Sequence, residues 1–348
     1  MSRAKKIILF LLILAAVFFA VMMCATMFIM HQNFGRGDYP AERTGTAYSW
    51  YPQFAQDYPR EEVEFPSCGL QLKGWLYGME NTEKLLVFSH GIGSGHEFYL
   101  STMLWFVDHG WRVFAYDACG SGDSPGKATK GLVQSALDLD SALTFAETDP
   151  RMKDMPKTVV GHSWGGYAAG AVLNFGHDIK ATVSISGYAY PMEMLDVGAV
   201  NTVGKTAAVF FHPFAWLYNK MMFGEYAGLN AVDGINGSDV PVLVLHGADD
   251  SFVITDQVGI ISKQLGSNAQ CSRITGQYAH HNDFFHSQSC NDTVVQWCAA
   301  HNVPETEAHE QKIMIYANVN DSDEAKALFR EQNEPLLGSI NDFLNAYV

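Results

Sequence analysis

The hydrophobic pattern divides the chain into three stretches of different character. Residues 7–30, IILFLLILAAVFFAVMMCATMFIM, run for 24 positions without a charge, a proline or a glycine. Residues 31–60 mix glycine, proline, tyrosine and charges with neither a helical nor a strand period, which predicts a linker that lays aromatics onto a following domain. From Glu61 onward, short apolar or β-branched runs (EEVEF, LKGWLY, KLLVFS, WRVFAYD, KTVVGHS, KATVSIS) alternate with helix-like segments (FYLSTMLWFVDHG, LVQSALDLDSALTFAE, WGGYAAGAVLNF). That alternation predicts βαβ units on a mostly parallel sheet, an α/β fold. The rhythm breaks after Ser186, resumes with the strand VPVLVLHG, and continues with TDQVGIISKQL as a helix and QCSRITG as the last strand. The insertion, about residues 187–239, has the length of a functional lid. A histidine-rich stretch, an excursion over residues 287–333 and an amphipathic helix, EPLLGSINDFLNAYV, close the chain. The expected organisation is an anchor over 1–30, a linker over 31–60 and one domain over 61–348.

At 1.5 Å per residue, the apolar run spans about 36 Å as a helix, enough to cross a hydrocarbon core of about 30 Å. A secretory signal has an apolar core of only about 7–15 residues, so an uncleaved membrane anchor is expected. Arg3, Lys5 and Lys6 precede the run and only Arg36 follows it closely, which predicts a cytoplasmic N-terminus and an extracytoplasmic domain in the cell membrane. Beyond residue 30 the chain carries 19 basic against 37 acidic side chains, a surface that repels phosphate backbones; no nucleic-acid partner is expected. Five cysteines lie outside the apolar run, with no CxxC pair and no zinc-finger spacing. Cys290 and Cys298, if on one helix, stand about 12 Å apart and cannot bridge each other.

Residues 161–165, GHSWG, form a G-x-S-x-G pattern between an apolar run and a small-residue helix. A sharp strand-to-helix turn at that place strains the serine backbone and exposes its hydroxyl, and the flanking glycines remove the clashes. The helix that follows aims its N-terminal amides at any developing oxyanion. With HGIG at 90–93 and DACGSGDS at 117–124, the chain from about residue 61 resembles the α/β-hydrolase superfamily, in the branch of serine aminopeptidases, monoacylglycerol lipases and related esterases. The resemblance implies a mostly parallel sheet of about eight strands flanked by helices, with a lid. It implies Ser163 as nucleophile and the backbone amides of Ile92 and Trp164 as oxyanion donors. It makes the 117–124 turn scaffold, Cys119 a buried filler, and His90, His96 and His162 neighbours of the site.

The acid is expected just past VPVLVLHG, where Asp249 and Asp250 compete. The branch's G-x-x-D-x-x-V pattern fits Asp250 in GADDSFV. The base is expected in YAHHNDFFH, residues 278–286, completing the order Ser, Asp, His of this fold. The family's GH followed by an acidic and aromatic run fits His281, with His280 where glycine is usual. A metal site on His280 or His281, Asp283 and His286 is the rival reading, but HExxH is absent and no second ligand cluster supports it. His286 is expected to cap or solvate a helix start. Neither a metal nor a cofactor is called for.

The expected activity is acyl transfer to water by a Ser163–His281–Asp250 triad on a lipid-derived or small carboxylic ester. The alternative is a peptidase for short peptides, whose substrate amino group would need an acid such as Glu193, Asp196, Glu225 or Asp233. A non-catalytic binding protein on the same fold is the reading from another class. Aromatics of the insertion, among them Tyr188, Phe210, Phe211 and Trp216, predict an apolar pocket or the packing of a cap helix.

Overall fold

The computed structural model describes residues 2–43, 45–303 and 309–348. Helix α1 (Arg3–Asn33) takes up the whole apolar run, capped by the Ser2 hydroxyl on the Lys5 amide. Strands β1 (Arg60–Ser67), β2 (Leu70–Tyr77) and β3 (Leu85–Ser89) follow, then α2 (Leu100–Asp108), β4 (Arg112–Tyr116) and α3 (Gln134–Thr148). Next come β5 (Lys157–His162), α4 (Trp164–Ala171) and β6 (Ile179–Ile185). The insertion is helical: α5 (Pro191–Val203), α6 (Lys205–Phe223) and α7 (Ala231–Asn236) precede β7 (Val242–Gly247) and β8 (Ala269–Ile274). The chain closes with α8 (Gln288–Ala300), α9 (His309–Val319), α10 (Asp323–Arg330) and α11 (Glu334–Asn345).

The eight strands form one sheet in the order β1-β2-β4-β3-β5-β6-β7-β8. β1, β2 and β4 pair antiparallel, and every pair from β4 across to β8 is parallel. The central strands β3, β4 and β5 are buried along their whole length, which is why they read as continuous apolar runs instead of alternating ones. One face of the sheet packs Val87 and Val159 against Leu139 of α3 and Ala168 of α4, and the other packs Phe88 and Val183 against Phe106 and Ile340.

One sequence expectation differs from the structure. TDQVGIISKQL is not an α-helix; only a short 3₁₀ turn, Ile260–Ser262, forms there. The segment instead exchanges backbone bonds with the start of the insertion: Ala189 N–H donates to Val258 O at 2.8 Å and Ile260 N–H to Gly187 O at 2.9 Å. Those tertiary bonds satisfy buried amides that a local helix would otherwise claim. Among the described residues, the excursion after the histidine-rich stretch forms α8, α9 and α10 with a core of their own, built from Cys290, Val294, Cys298, Ile313, Tyr316 and Phe329. Cys290 and Cys298 both lie on α8, buried, and do not bridge each other.

The segment after α1 is bound to the body from its first residue. Phe34 O accepts from Thr129 N at 3.0 Å, and the Arg36 guanidinium donates to the carbonyls of Gly122, Ser124 and Gly126. Tyr39 then buries its ring and donates to Asp117 Oδ1 at 2.8 Å.

Candidate active site

β5 ends at His162 and α4 begins at Trp164, so Ser163 alone carries the reversal between strand and helix. Its backbone stands at φ 57°, ψ −112°, a positive-φ conformation that L-residues rarely adopt. The flanking glycines are required by close approach. A Cβ on Gly161 would sit 2.1 Å from Gly165 O, and one on Gly165 would sit 2.0 Å from Ser89 O. Strand end, turn and helix start are packed backbone on backbone, and the serine hydroxyl is the group left facing the cavities.

Ser163 Oγ lies 2.8 Å from His281 Nε2, and His281 Nδ1–H donates to Asp250 Oδ2 at 2.7 Å. All three residues are buried. Asp250 also accepts the amides of Phe252 and Val253 on Oδ1, each at 2.9 Å, and His246 Nε2 lies 3.2 Å from its Oδ2. Burial pushes the Asp250 carboxyl upward, but the hydrogen bonds from His246 and His281 overcome that and hold it well below the usual carboxylate range. It is therefore ionised whenever the imidazole can act as a base. Its neighbour Asp249 is exposed and stands outside this chain of bonds, its amide donating to Ala279 O.

The other histidines divide. His280 bonds Asp283 through both its amide (3.0 Å) and its Nδ1 (3.1 Å), which closes the turn that presents His281. His286 is half-buried against Phe329, where desolvation lowers its pKa to about 4; it does not cap a helix, and Ser287 is the N-cap of α8. His96 lines neither cavity at Ser163, contrary to expectation; it stacks on Trp75 at 4.1 Å and bonds Asp117. Among the described residues, no cluster of three His, Cys, Asp or Glu side chains is arranged to hold a metal ion.

His162 lines the larger cavity and His90 lies buried at the start of the HGIG turn, each fixed as a neutral tautomer. His90 Nε2 accepts the Ala118 amide at 2.9 Å, so its Nδ1–H donates to Gly91 O at 2.7 Å and holds the HGIG turn. His162 Nε2–H donates to the backbone carbonyl of His281 at 2.9 Å, and its Nδ1 accepts from the Tyr99 hydroxyl at 2.8 Å. Burial, then the nearby His281 ring, lowers the His162 pKa to about 3. Tyr99 in turn accepts the Gly91 amide at 3.1 Å. Tyr99 carried no motif by which the sequence would have marked it, and His246 is distinguished only by preceding the acid turn.

Two cavities meet at Ser163. The larger, about 500 Å³, lies between the HGIG turn and the helices after β8, lined by Tyr48, Phe98, Ile313, Met314 and Phe329. The smaller, about 210 Å³, lies under α5 and includes Trp164, Tyr188, Met194, Leu195 and Phe211. Ile92, Ser163 and Phe252 border both. Ile92 of the HGIG turn borders both cavities, and Trp164, the first residue of α4, borders the smaller one beside Ser163.

Residues 80–218 match the family model described as serine aminopeptidase, S33. An esterase of Pyrococcus furiosus has the same fold, with a TM-score of 0.56 at 16% identity over 90% of this chain and 99% of that one. The chain has the α/β-hydrolase fold. A second crystal form of the Pyrococcus esterase aligns at a TM-score of 0.51 and 18% identity, covering 72% of this chain and 93% of that chain. A polyketide transferase of Stachybotrys chlorohalonatus is 30% identical over 119 residues, 33% of this chain; the match spans 38% of that relative's length.

Proposed function

We propose that this α/β-hydrolase is a membrane-anchored serine hydrolase that cleaves carboxylic esters through an acyl-enzyme intermediate. The observation that carries the reading is the unbroken chain Ser163 Oγ, His281 Nε2, His281 Nδ1, Asp250 Oδ2 at 2.8 and 2.7 Å, set on a strained turn between two cavities.

In this mechanism Ser163 attacks the ester carbonyl while His281 takes its proton. Asp250 stays ionised, holds Nδ1–H toward itself and stabilises the imidazolium that forms. The carbonyl oxygen becomes an oxyanion between the Ile92 and Trp164 amides, each worth on the order of 10²–10³ in rate. His281 then protonates the departing alcohol, and water, deprotonated by the same imidazole, releases the acid.

Ester is favoured over peptide by the lining of the cavities. Among the described residues, neither cavity is bordered by a carboxylate able to hold a substrate α-amino group. Glu193 pairs with Lys263, Asp196 with His212, and Asp233 accepts from Asn230 at the start of α7. Glu225 belongs to a short turn after α6 and borders neither cavity. α1 is long and apolar enough to cross a membrane, and the basic residues ahead of it favour a cytoplasmic N-terminus with the hydrolase body outside.

Labelling the full chain in detergent with a fluorophosphonate, beside Ser163→Ala, tests the reading. Labelling confined to the wild type is expected, with turnover of p-nitrophenyl esters but not of aminoacyl anilides. Full labelling of the variant would sink the assignment.

A further inference from the structure

The smaller cavity is walled on one side by α1 itself. Ile29, Met30 and Asn33 border it, opposite Gly198, Thr202 and Val203 of α5. Met30 closes the run of 24 uncharged residues that would lie in the hydrocarbon core. The cavity therefore reaches from the buried Ser163 to a mouth between α1 and α5 whose rim residues Asn33, Gly198, Thr202 and Val203 are exposed, at the level where α1 would leave the bilayer.

That placement is fixed, not the accident of a loose tether. α1 runs without a break to Asn33, and Phe34 is at once bound to Thr129, followed by Arg36 on three carbonyls of the 122–126 turn. Higher up, Met23, Thr26 and Met30 form the buried stripe of α1, and Phe18 and Phe19 meet Phe214 of α6 at ring distances of 6.3 and 5.6 Å. The lid hairpin thus leans on the apolar length of the helix. Its outer side leaves Val209, Phe210, Trp216 and Met221 at least half exposed, side chains that a bilayer would cover.

We propose that α1 is a wall of the substrate site as well as an anchor, and that the cavity between α1 and α5 takes the acyl chain of an ester resident in the bilayer. Resting on the serine-hydrolase reading above, this names the substrate class. The chain slides between two helices that both face lipid, and brings its carbonyl to Ser163 without crossing water. The larger cavity on the far side of Ser163 then receives the alcohol portion. An acyl chain suits the smaller cavity because its border, among the described residues, carries no charged side chain.

Gly198 offers the test. No heavy atom lies within 4 Å of where its Cβ would sit, so Gly198→Trp fills space at the mouth without striking backbone. Ile29→Trp narrows the same space from α1. With the full chain in phosphatidylcholine nanodiscs, kcat/KM is compared for 4-methylumbelliferyl oleate and acetate. Each methylene kept in water is worth about fourfold in affinity, so either variant is expected to lower the oleate-to-acetate ratio at least about tenfold. An unchanged ratio in both variants would overturn the proposal.

A second measurement does not depend on turnover or on either variant. Ser163→Ala in the same nanodiscs is irradiated with a palmitoyl ester bearing a mid-chain diazirine. Adducts are expected on residues 29–34 and 194–203; adducts confined to Tyr48, Ile313, Met314 and Phe329, or none, would overturn the assignment. Because this variant is inert by design, failure of the hydrolase reading shows as persistent fluorophosphonate labelling, and failure of the acyl site shows here.

Discussion

His162 Nε2–H donates to the backbone carbonyl of His281 at 2.9 Å, so the residue before Ser163 holds the loop that carries His281. The same imidazole accepts from Tyr99, which accepts from the Gly91 amide. One run of hydrogen bonds ties together the HGIG turn, the serine turn and the base loop in the interior, where an unmet partner is expensive.

Tyr99→Phe removes the hydroxyl at the centre of that run and leaves the Gly91 amide and His162 Nδ1 without it. Unfolding free energy is expected to fall by about 1–3 kcal/mol, in line with two buried polar groups losing a partner. The looser registration of Ile92 and His281 should lower kcat by roughly tenfold with KM little changed, a misplacement effect on positioning. Denaturant titration and steady-state kinetics on p-nitrophenyl acetate check both; wild-type values for kcat and stability would remove the link.

Paired substitutions separate the neighbouring candidates. Asp250→Asn should lower kcat by on the order of 10⁴, by permitting the wrong imidazole tautomer, whereas Asp249→Asn should stay within about threefold. His281→Ala should abolish turnover, and His280→Ala should cost stability through Asp283 while leaving a working base. Hydrolysis that survives at His281→Ala but disappears at His280→Ala would reverse the choice.

Gly165→Ala is expected to destabilise by about 3 kcal/mol or more, since its methyl would land 2.0 Å from the Ser89 carbonyl in a packed interior. Thermal unfolding reads this directly. A variant with wild-type Tm would mean that the serine turn is wider than the structure has it.

Acid should unfold the protein through its buried histidines before its carboxylates matter. Folded pKa values of about 3 for His162 and about 4 for His286, with His90 also lowered by burial, lie below the unfolded value of about 6.5. The unfolded chain therefore takes up these protons first. Stability is fully present above about pH 6.5 and falls toward pH 4, at up to ~1.4 kcal/mol per pH unit for each group. Below about pH 4, protonation of the depressed Asp250 and Asp117 adds to the loss. His286→Phe removes a half-buried ring whose buried Nδ1 has no hydrogen-bond partner among the described residues, and should flatten the pH dependence and raise Tm at pH 5. Parallel stability curves for the two proteins from pH 7 to 4 would contradict this.

Local chemistry made much of this protein legible in advance. A backbone reversal at Ser163 needs glycine on both sides, a buried parallel strand needs an unbroken apolar run, and a helix across hydrocarbon needs some twenty uncharged residues; each leaves its mark on adjacent positions. Asp250 and His281 stood out through the resemblance, Asp250 by the G-x-x-D-x-x-V pattern after a strand and His281 by the acidic and aromatic run that follows it. Contacts between distant segments left no such mark. The helix expected over TDQVGIISKQL gave way to backbone bonds with Gly187 and Ala189, some seventy residues earlier. The lid aromatics read as one apolar set, yet Phe211 and Tyr188 border a cavity, Phe214 meets α1, and Phe210 and Trp216 face outward. Tyr99 joined the site only when folding brought Gly91 and His162 to its hydroxyl. The residue types that a turn or a strand demands are written locally, so the sequence alone determined the fold class and the candidate chemistry. Which faces meet depends on the relative placement of whole elements, and only the tertiary structure decided that α1 shares a cavity with Ser163.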